Sequence, residues 1–435
     1  MTARAAPPVP RRRGGLALPL ALATVVALTV VVGVWLDRRG VALGTPLPPF
    51  LGPWHPEATP WAVLGALVVF ATAAASPSLV PAPIGPVAFA LASLALALVT
   101  RVTLATSRIG PEGLWHVFGD SFEAKNEYLP ALPALSYGAR WFLDHFAELV
   151  PSLPVHVAGH PPGLMLALHG LGITTPQGMA ALTIGVGALS APLTYVLARA
   201  LLDEPLARTA TLLYVLAPSA LLYGATSADA LFATVGLAAA VPLVAARPFA
   251  RPIGALLLAG AALFGYALLA IGAWATFVVA LREGLRRAAA LAAMCALGLV
   301  AFYAALWALT GFDLLGALAS TDQVYGYSVA RIRPYAYWVF GSPAAYLLAL
   351  GVPTAWYAAR ALAARQSLAL ALAAVILIAA VAGFTKAETE RIWLFLVPLA
   401  CLAAAPALPA RSLGPVLLLL AVQCVAAELL FGTVW

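Results

Sequence analysis

The sequence predicts an all-α protein, a polytopic transmembrane helical bundle of about 13 spans carrying an extracytoplasmic loop domain of juxtamembrane helices. Three observations predict it. The chain is 63% hydrophobic and 9% charged, with a mean hydropathy of +0.96, whereas soluble domains carry about 25% charged residues. Apolar runs of spanning or near-spanning length recur along the whole chain. A single stretch of roughly sixty residues, 101–160, interrupts them with Asp120, Glu123, Lys125, Glu127, Arg140, Asp144, His145, Glu148, His156 and His160. That stretch keeps too many Leu and aromatic residues to be disordered.

Taken in order, the segment Met1–Arg13 is rich in Pro and Arg and precedes the apolar run Leu16–Leu36. The run is long enough to span and lacks a clear small-residue cleavage site, so it reads as an uncleaved first helix. Further runs fall near 61–75, 79–100, 178–200, 207–223, 227–246, 253–265, 267–280, 287–309, 342–360, 366–384, 391–408 and 413–433. Those at 253–265 and 267–280 are short and meet near Gly265. The resulting divisions are 1–100, 101–177, 178–310, 311–341 and 342–435. Cys295, Cys401 and Cys424 all lie inside apolar runs, which argues against disulfides and a cysteine metal site.

Within the long loop, Leu135–Val150 reads as an amphipathic helix, with Trp141, Phe142, His145, Phe146 and Leu149 to one side. Pro161–Leu171 is too short to span and suits an interfacial helix. With the N-terminus cytoplasmic, alternation places fourteen Arg residues on the inner side, with only Asp203, Glu204 and Glu283. That agrees with positive-inside sorting. Loops 101–160, 311–341 and 385–390, and the start of the helix bearing Asp229, then emerge together on the outer face. The Arg residues are scattered and form no stripe, so nucleic acid is not an expected partner.

The candidate chemistry lies on that outer face. If Asp120–Tyr128 is helical, Asp120, Glu123 and Glu127 share a side, and clustered carboxylates suit a general base or a divalent cation. A solvated helix face paired with Lys125 is the plain alternative. Lys125 and Lys386 are the only lysines among 24 basic residues, and a compact ammonium suits a phosphate. His160 opens GHPPG, where a rigid turn could present it to a metal, a phosphate or a proton path. Asp229 in TSADALF sits at a helix start; Ser227 is the more natural cap, which leaves Asp229 for a pocket. GFTKAETERIW adds Lys386, Glu388, Glu390 and Arg391, and a neighbouring loop adds Arg331 and Arg333 among tyrosines. These cations suit a lipid-borne phosphate at headgroup depth.

Together these pieces resemble the polytopic lipid-phosphate-sugar glycosyltransferases of the GT-C class, especially bacterial relatives of protein mannosyltransferases and of the aminoarabinose lipid A transferase. The resemblance rests on Asp120 with Glu127–Tyr128, then His160–Pro161–Pro162, then Leu197–Leu201 as LARAL, then Ser227–Phe232 as SADALF, over roughly residues 100–290. It departs in having two extra runs, 61–75 and 79–100, before the loop where one run is usual, and Ser121 follows Asp120 where an adjacent Asp-Glu pair is usual. The base therefore stays open among Asp120, Glu123 and Glu127.

The resemblance implies a polyprenyl-phosphate sugar donor whose phosphate is held by Lys386, Arg391, Arg331 or Arg333. A carboxylate base, Asp120 first, would activate the acceptor hydroxyl, with inversion. Lys125, Tyr128, His160, Asp229, Glu388 and Glu390 would line the pocket. A divalent cation, Mg or Mn, on Asp120 and His160 is compatible with it but not required. The Ala- and Arg-rich composition suggests a high-GC, actinobacterial-type genome, a cell-membrane location among lipids, and a glycan or lipoglycan acceptor. The rival class is a multi-pass transporter or lipid flippase, which broken helices near Gly265 and Asp229 at membrane depth would suit.

Overall fold

The computed structural model describes residues 15–247 and 249–433. The basic segment Met1–Arg13 lies outside the described residues. The chain is 77% helical, with no strand among the described residues. Seven helices are long and apolar enough to cross a bilayer: Ala17–Arg38, Trp61–Leu79, Pro86–Ala105, Pro176–Leu201, Tyr266–Glu283, Leu285–Thr310 and Ala410–Leu430. Tyr335–Ala349 and Val352–Ala363 form a bent pair, turned by 114°. Gly351, at φ +100°, occupies the break; a Cβ there would be strained and would meet Leu420.

Local chemistry explains several boundaries. Thr175 accepts the N–H of Gly178 ahead of a helix opening at Pro176, and Asp203 accepts the N–H of Leu206. The run expected at 207–223 divides into Glu204–Val215 and Pro218–Leu222, because Pro218 cannot continue the ladder. The break expected near Gly265 falls between Ala250–Ala262 and the turn opening at Tyr266.

Burial separates a centre from a periphery. Only 17% of the spanning windows of Ala17–Arg38 and Leu285–Thr310 is buried, and their outward Val and Leu suit lipid. By contrast, residues 207–234 and 393–405 are buried throughout. These two stretches form the middle of the bundle.

Hydrogen bonds sort the loops into two ends. At one, Arg208 donates to the carbonyls of Leu79, Val80, Ala82 and Ile84, and Arg282 donates to Leu201 and Ser367. Glu283 there pairs with Arg251 and Arg287. This is the anchor end. At the other, loop 39–60, the long loop, residues 223–228, residues 311–334 and residues 383–393 meet. This is the loop end.

The long loop departs from its expected helices. Ser121 accepts the N–H groups of Glu123 and Ala124 and starts a 3-10 turn, Phe122–Asn126. Asp120 instead ends the short helix His116–Gly119. The expected face shared by Asp120, Glu123 and Glu127 therefore does not form. Leu135–Val150 is likewise broken into Ala139–Asp144 and Phe146–Leu149, with His145 between them and Gly138 at φ +92° before them. Pro130 and Pro133 hold the preceding piece as a 3-10 turn.

Candidate functional site

The loop end contains a buried chain of alternating charges. Asp229 stands at the start of the helix Asp229–Leu243. Ser227 accepts the Asp229 N–H at 3.2 Å and donates to its carboxylate at 2.8 Å. Asp229 thus keeps its carboxylate for Arg391, whose Nη1 lies 2.5 Å away. Arg391 Nη2 reaches Glu388 at 3.1 Å, and Glu388 reaches Arg333 at 2.9 Å. Side-chain exposure is 4% for Asp229, 6% for Arg391, 7% for Arg333 and 17% for Glu388, so the chain is largely out of solvent.

The turn that delivers Glu388 is strained. Ala387 and Glu388 both adopt left-handed backbone, at φ 69° and 61°, and neither is glycine. Such residues cost about 1–3 kcal/mol each and persist where packing over-determines them. Here Arg333 donates to the Lys386 carbonyl at 2.6 Å, and Thr389 donates to Ser342 at 2.6 Å. The strain aims Glu388 between two guanidiniums. Burial alone would raise its pKa, but Arg391 and Arg333 outweigh that and hold it below the ordinary value. Burial works against the Arg391 charge, and Asp229, Glu388 and Glu127 more than restore it.

Lys386 ends the chain differently. Its ammonium donates to the Ala330 carbonyl at 3.3 Å and has no carboxylate partner among the described residues. Arg331, next to Ala330, is exposed. An ammonium with donors to spare is the part of the cluster that can receive an anion. Glu390 is buried at 4% exposure; one oxygen accepts the Leu51 N–H at 2.9 Å and the other has no partner. Burial pushes its carboxyl up to about 7.

A second group lies alongside. Glu123 accepts from the Asn126 amide at 3.1 Å and meets His156 Nε2 at 2.9 Å. Burial raises its pKa, but the His156 and Asn126 contacts bring it below the ordinary value, and Glu388 is close enough to oppose them. Glu127 is buried at 2% exposure and lies 3.9 Å from His156 Nε2. Tyr128 is buried with its hydroxyl unpartnered, and burial, with Glu127 and Asp229, pushes that hydroxyl well above its ordinary value. His160 hydrogen-bonds through Nδ1 to the His156 carbonyl at 2.7 Å, its ring between Tyr128 and Phe232. Burial lowers its pKa to about 4, which keeps the ring neutral.

The structure thus brings together Asp229, Arg391, Glu388, Arg333 and Lys386, with Glu123, Glu127, Tyr128 and His160 beside them. It leaves others out. Asp120 is exposed, and its carboxylate makes no ion pair or hydrogen bond with a described residue. Lys125 is exposed and lies over the Phe122 ring at 3.9 Å. No group of three or more His, Cys, Asp or Glu among the described residues could hold a metal ion, so Asp120 and His160 gain no further ligand of those types there. Sequence reasoning passed over His156. Its signal was the spacing of four from His160 in HVAGH, which stacks the two on one helical side.

Chemically, the site offers an ionised carboxylate oriented by an imidazole, an anchored pair of guanidiniums, and an ammonium able to take a phosphate. No protein-family model, curated protein or solved structure matches this chain.

Proposed function

We propose that the chain is a membrane glycosyltransferase of the GT-C kind, moving a sugar from a polyprenyl-phosphate donor to a cell-envelope glycan or lipoglycan. The observation that carries this is the buried chain Asp229–Arg391–Glu388–Arg333, whose last member donates to the backbone carbonyl of Lys386, the residue whose ammonium meets only the Ala330 carbonyl among the described residues. Burying four charges is costly, and an all-apolar core would often be as stable. Such a cluster at one end of a membrane bundle points to a functional site.

In this reading the loop end is extracytoplasmic and the N-terminus cytoplasmic, in the cell membrane. The seven long helices, the bent pair as one, the four shorter apolar helices and the broken stretch 204–222 together make thirteen crossings. Lys386 and Arg331 hold the donor phosphate. Arg391 and Arg333 are already neutralised by Asp229 and Glu388, and they hold the turn and its field in place. Glu123, oriented by His156, takes the proton from the acceptor hydroxyl as its oxygen attacks the anomeric carbon. The bond to phosphate breaks on the opposite face, and the configuration inverts. The negative charge gathering on the departing phosphate is met by Lys386. Asp120 no longer has first claim as the base, because it stands in solvent outside the cluster.

The transporter reading draws on the break at Gly265 and the 114° bend at Gly351. The charges gather at one end, however, where mid-depth placement would suit alternating access. The test is release of polyprenyl phosphate from labelled polyprenyl-phosphate sugars by purified protein in lipid nanodiscs with envelope glycan. Transfer that disappears in Glu123→Gln supports the reading. Sugar-lipid movement across vesicles without transfer would replace it with the transporter.

A further inference from the structure

A cavity of about 170 Å³ lies at the loop end, outside the charge chain. Glu428, Arg108, His116, Thr226, Ile109 and Leu222 form much of its wall. Glu428 stands out: it is 6% exposed, and its carboxylate has no hydrogen bond or ion pair with a described residue. Leaving an ionisable group so placed without a partner is expensive, and such groups in membrane helices usually serve a ligand. The neighbouring Arg108 is already occupied. Its Nη1 donates to the carbonyls of Glu428 and Phe431, and its Nη2 donates to Glu57 at 2.9 Å. The guanidinium pins the end of helix Leu413–Leu430 and makes no hydrogen bond to the Glu428 carboxylate, which feels only its field. The His116 ring makes no side-chain hydrogen bond either, and Thr226 spends its hydroxyl proton on the Leu222 carbonyl, leaving an acceptor.

The wall therefore combines unspent acceptors with the apolar faces of Ile109, Leu222 and Val117. A cavity of 170 Å³ has room for roughly six waters at ~30 Å³ each, about the bulk of one sugar ring. A hexose or pentose presents hydroxyl donors at its edge and C–H groups on its faces, which matches such a wall. We infer that this cavity is a monosaccharide-binding site in which the Glu428 carboxylate accepts hydrogen bonds from ring hydroxyls. Tyr223, between Leu222 and Thr226 in sequence, lies within the fields of Glu390 and Arg391 as well as Glu428. A sugar seated here would be the acceptor's residue next to the reacting one. That role rests on the transferase reading, whereas the occupancy of the cavity does not.

The experiment is equilibrium binding of glucose, galactose, mannose and arabinose to the full chain in nanodiscs, read by saturation-transfer NMR and by tryptophan emission. At least one sugar should bind saturably in the millimolar range. Glu428→Gln should weaken it by about tenfold or more, since one of its two acceptor oxygens becomes an amide donor. Lys386→Ala should leave it unchanged. Should Glu428→Gln fail to fold, as judged by gel filtration and melting, His116→Ala decides, with binding again weakened. Absence of saturable binding by any of the four sugars, equal binding in both variants, or saturable binding of ethanolamine in their place would overturn the proposal. Sugar binding in a protein that transfers nothing would uphold the cavity and remove only its acceptor role.

Discussion

The two ends of the bundle use the same residue types in opposite ways. At the anchor end, Arg199 and Arg208 share Glu204, and Arg251 and Arg287 share Glu283. Arg208 and Arg251 are only 6% and 15% exposed, but Arg199 and Arg287 are 46% and 68% exposed and the acids they share are 35% and 25% exposed. These are fasteners at the edge of the core, and pairs of that kind contribute little individually. At the loop end every member of the chain from Asp229 to Arg333 is 17% exposed or less, and two residues of the connecting turn are strained. Fastening does not need that expense. On the proposed reading, the difference separates charges that hold helices together from charges held for a ligand.

Four tests probe that separation, from the largest effect to the smallest. Arg391→Ala leaves Asp229 and Glu388 buried without their shared cation, and it should lower stability by about 3–5 kcal/mol in thermal or denaturant melts. Adding Asp229→Asn should recover part of that stability and none of the activity, because the two side chains act as one unit. Glu123→Gln should keep the melting temperature and reduce kcat by about 10²–10⁴ in the transfer assay. A parallel loss of stability would make Glu123 another fastener.

The third test is pH. Glu390 titrates near 7, above its ordinary 4.5, so its contribution to stability is full below pH 4.5 and is lost as pH rises through 7. His160 titrates near 4, below its ordinary 6.5, so its contribution is full above pH 6.5 and is lost as pH falls through 4. The two oppose each other in between. Glu390→Gln should therefore make stability rise more steeply with pH than in wild type across that window, by on the order of 2 kcal/mol. A slope equal to that of wild type would remove the Glu390 contribution. The smallest effect belongs to Glu283→Ala at the anchor end, about 1 kcal/mol or less with unchanged transfer. A larger loss there would erase the contrast between the ends.

Much of the architecture was legible because spanning length and alternation need only hydropathy. The Gly265 break and the sharing of roles between Ser227 and Asp229 followed from local chemistry alone. The long loop resisted for a physical reason. Ser121, Gly138 and the prolines at 130 and 133 divide it into turns too short for helical spacing to hold, so Asp120 parted from Glu123 and Glu127. The contact of Asp229 with Arg391 spans 162 positions, and no local pattern announces it. Scarcity of lysine marked Lys386 and Lys125 alike, and only packing told them apart. The first ends a buried chain, and the second lies on Phe122 in solvent. His156, Glu428 and Leu51 carried signals too weak to rise above their neighbours.

The most direct test of the central claim is binding of polyprenyl phosphate to the protein in nanodiscs, comparing wild type with Lys386→Ala and with Glu283→Ala. Lys386→Ala should weaken binding by about tenfold or more, the scale of one charge-assisted contact to phosphate, while Glu283→Ala binds as wild type does. Equal affinity in all three proteins would contradict the assignment of the loop end as a phosphate-lipid site.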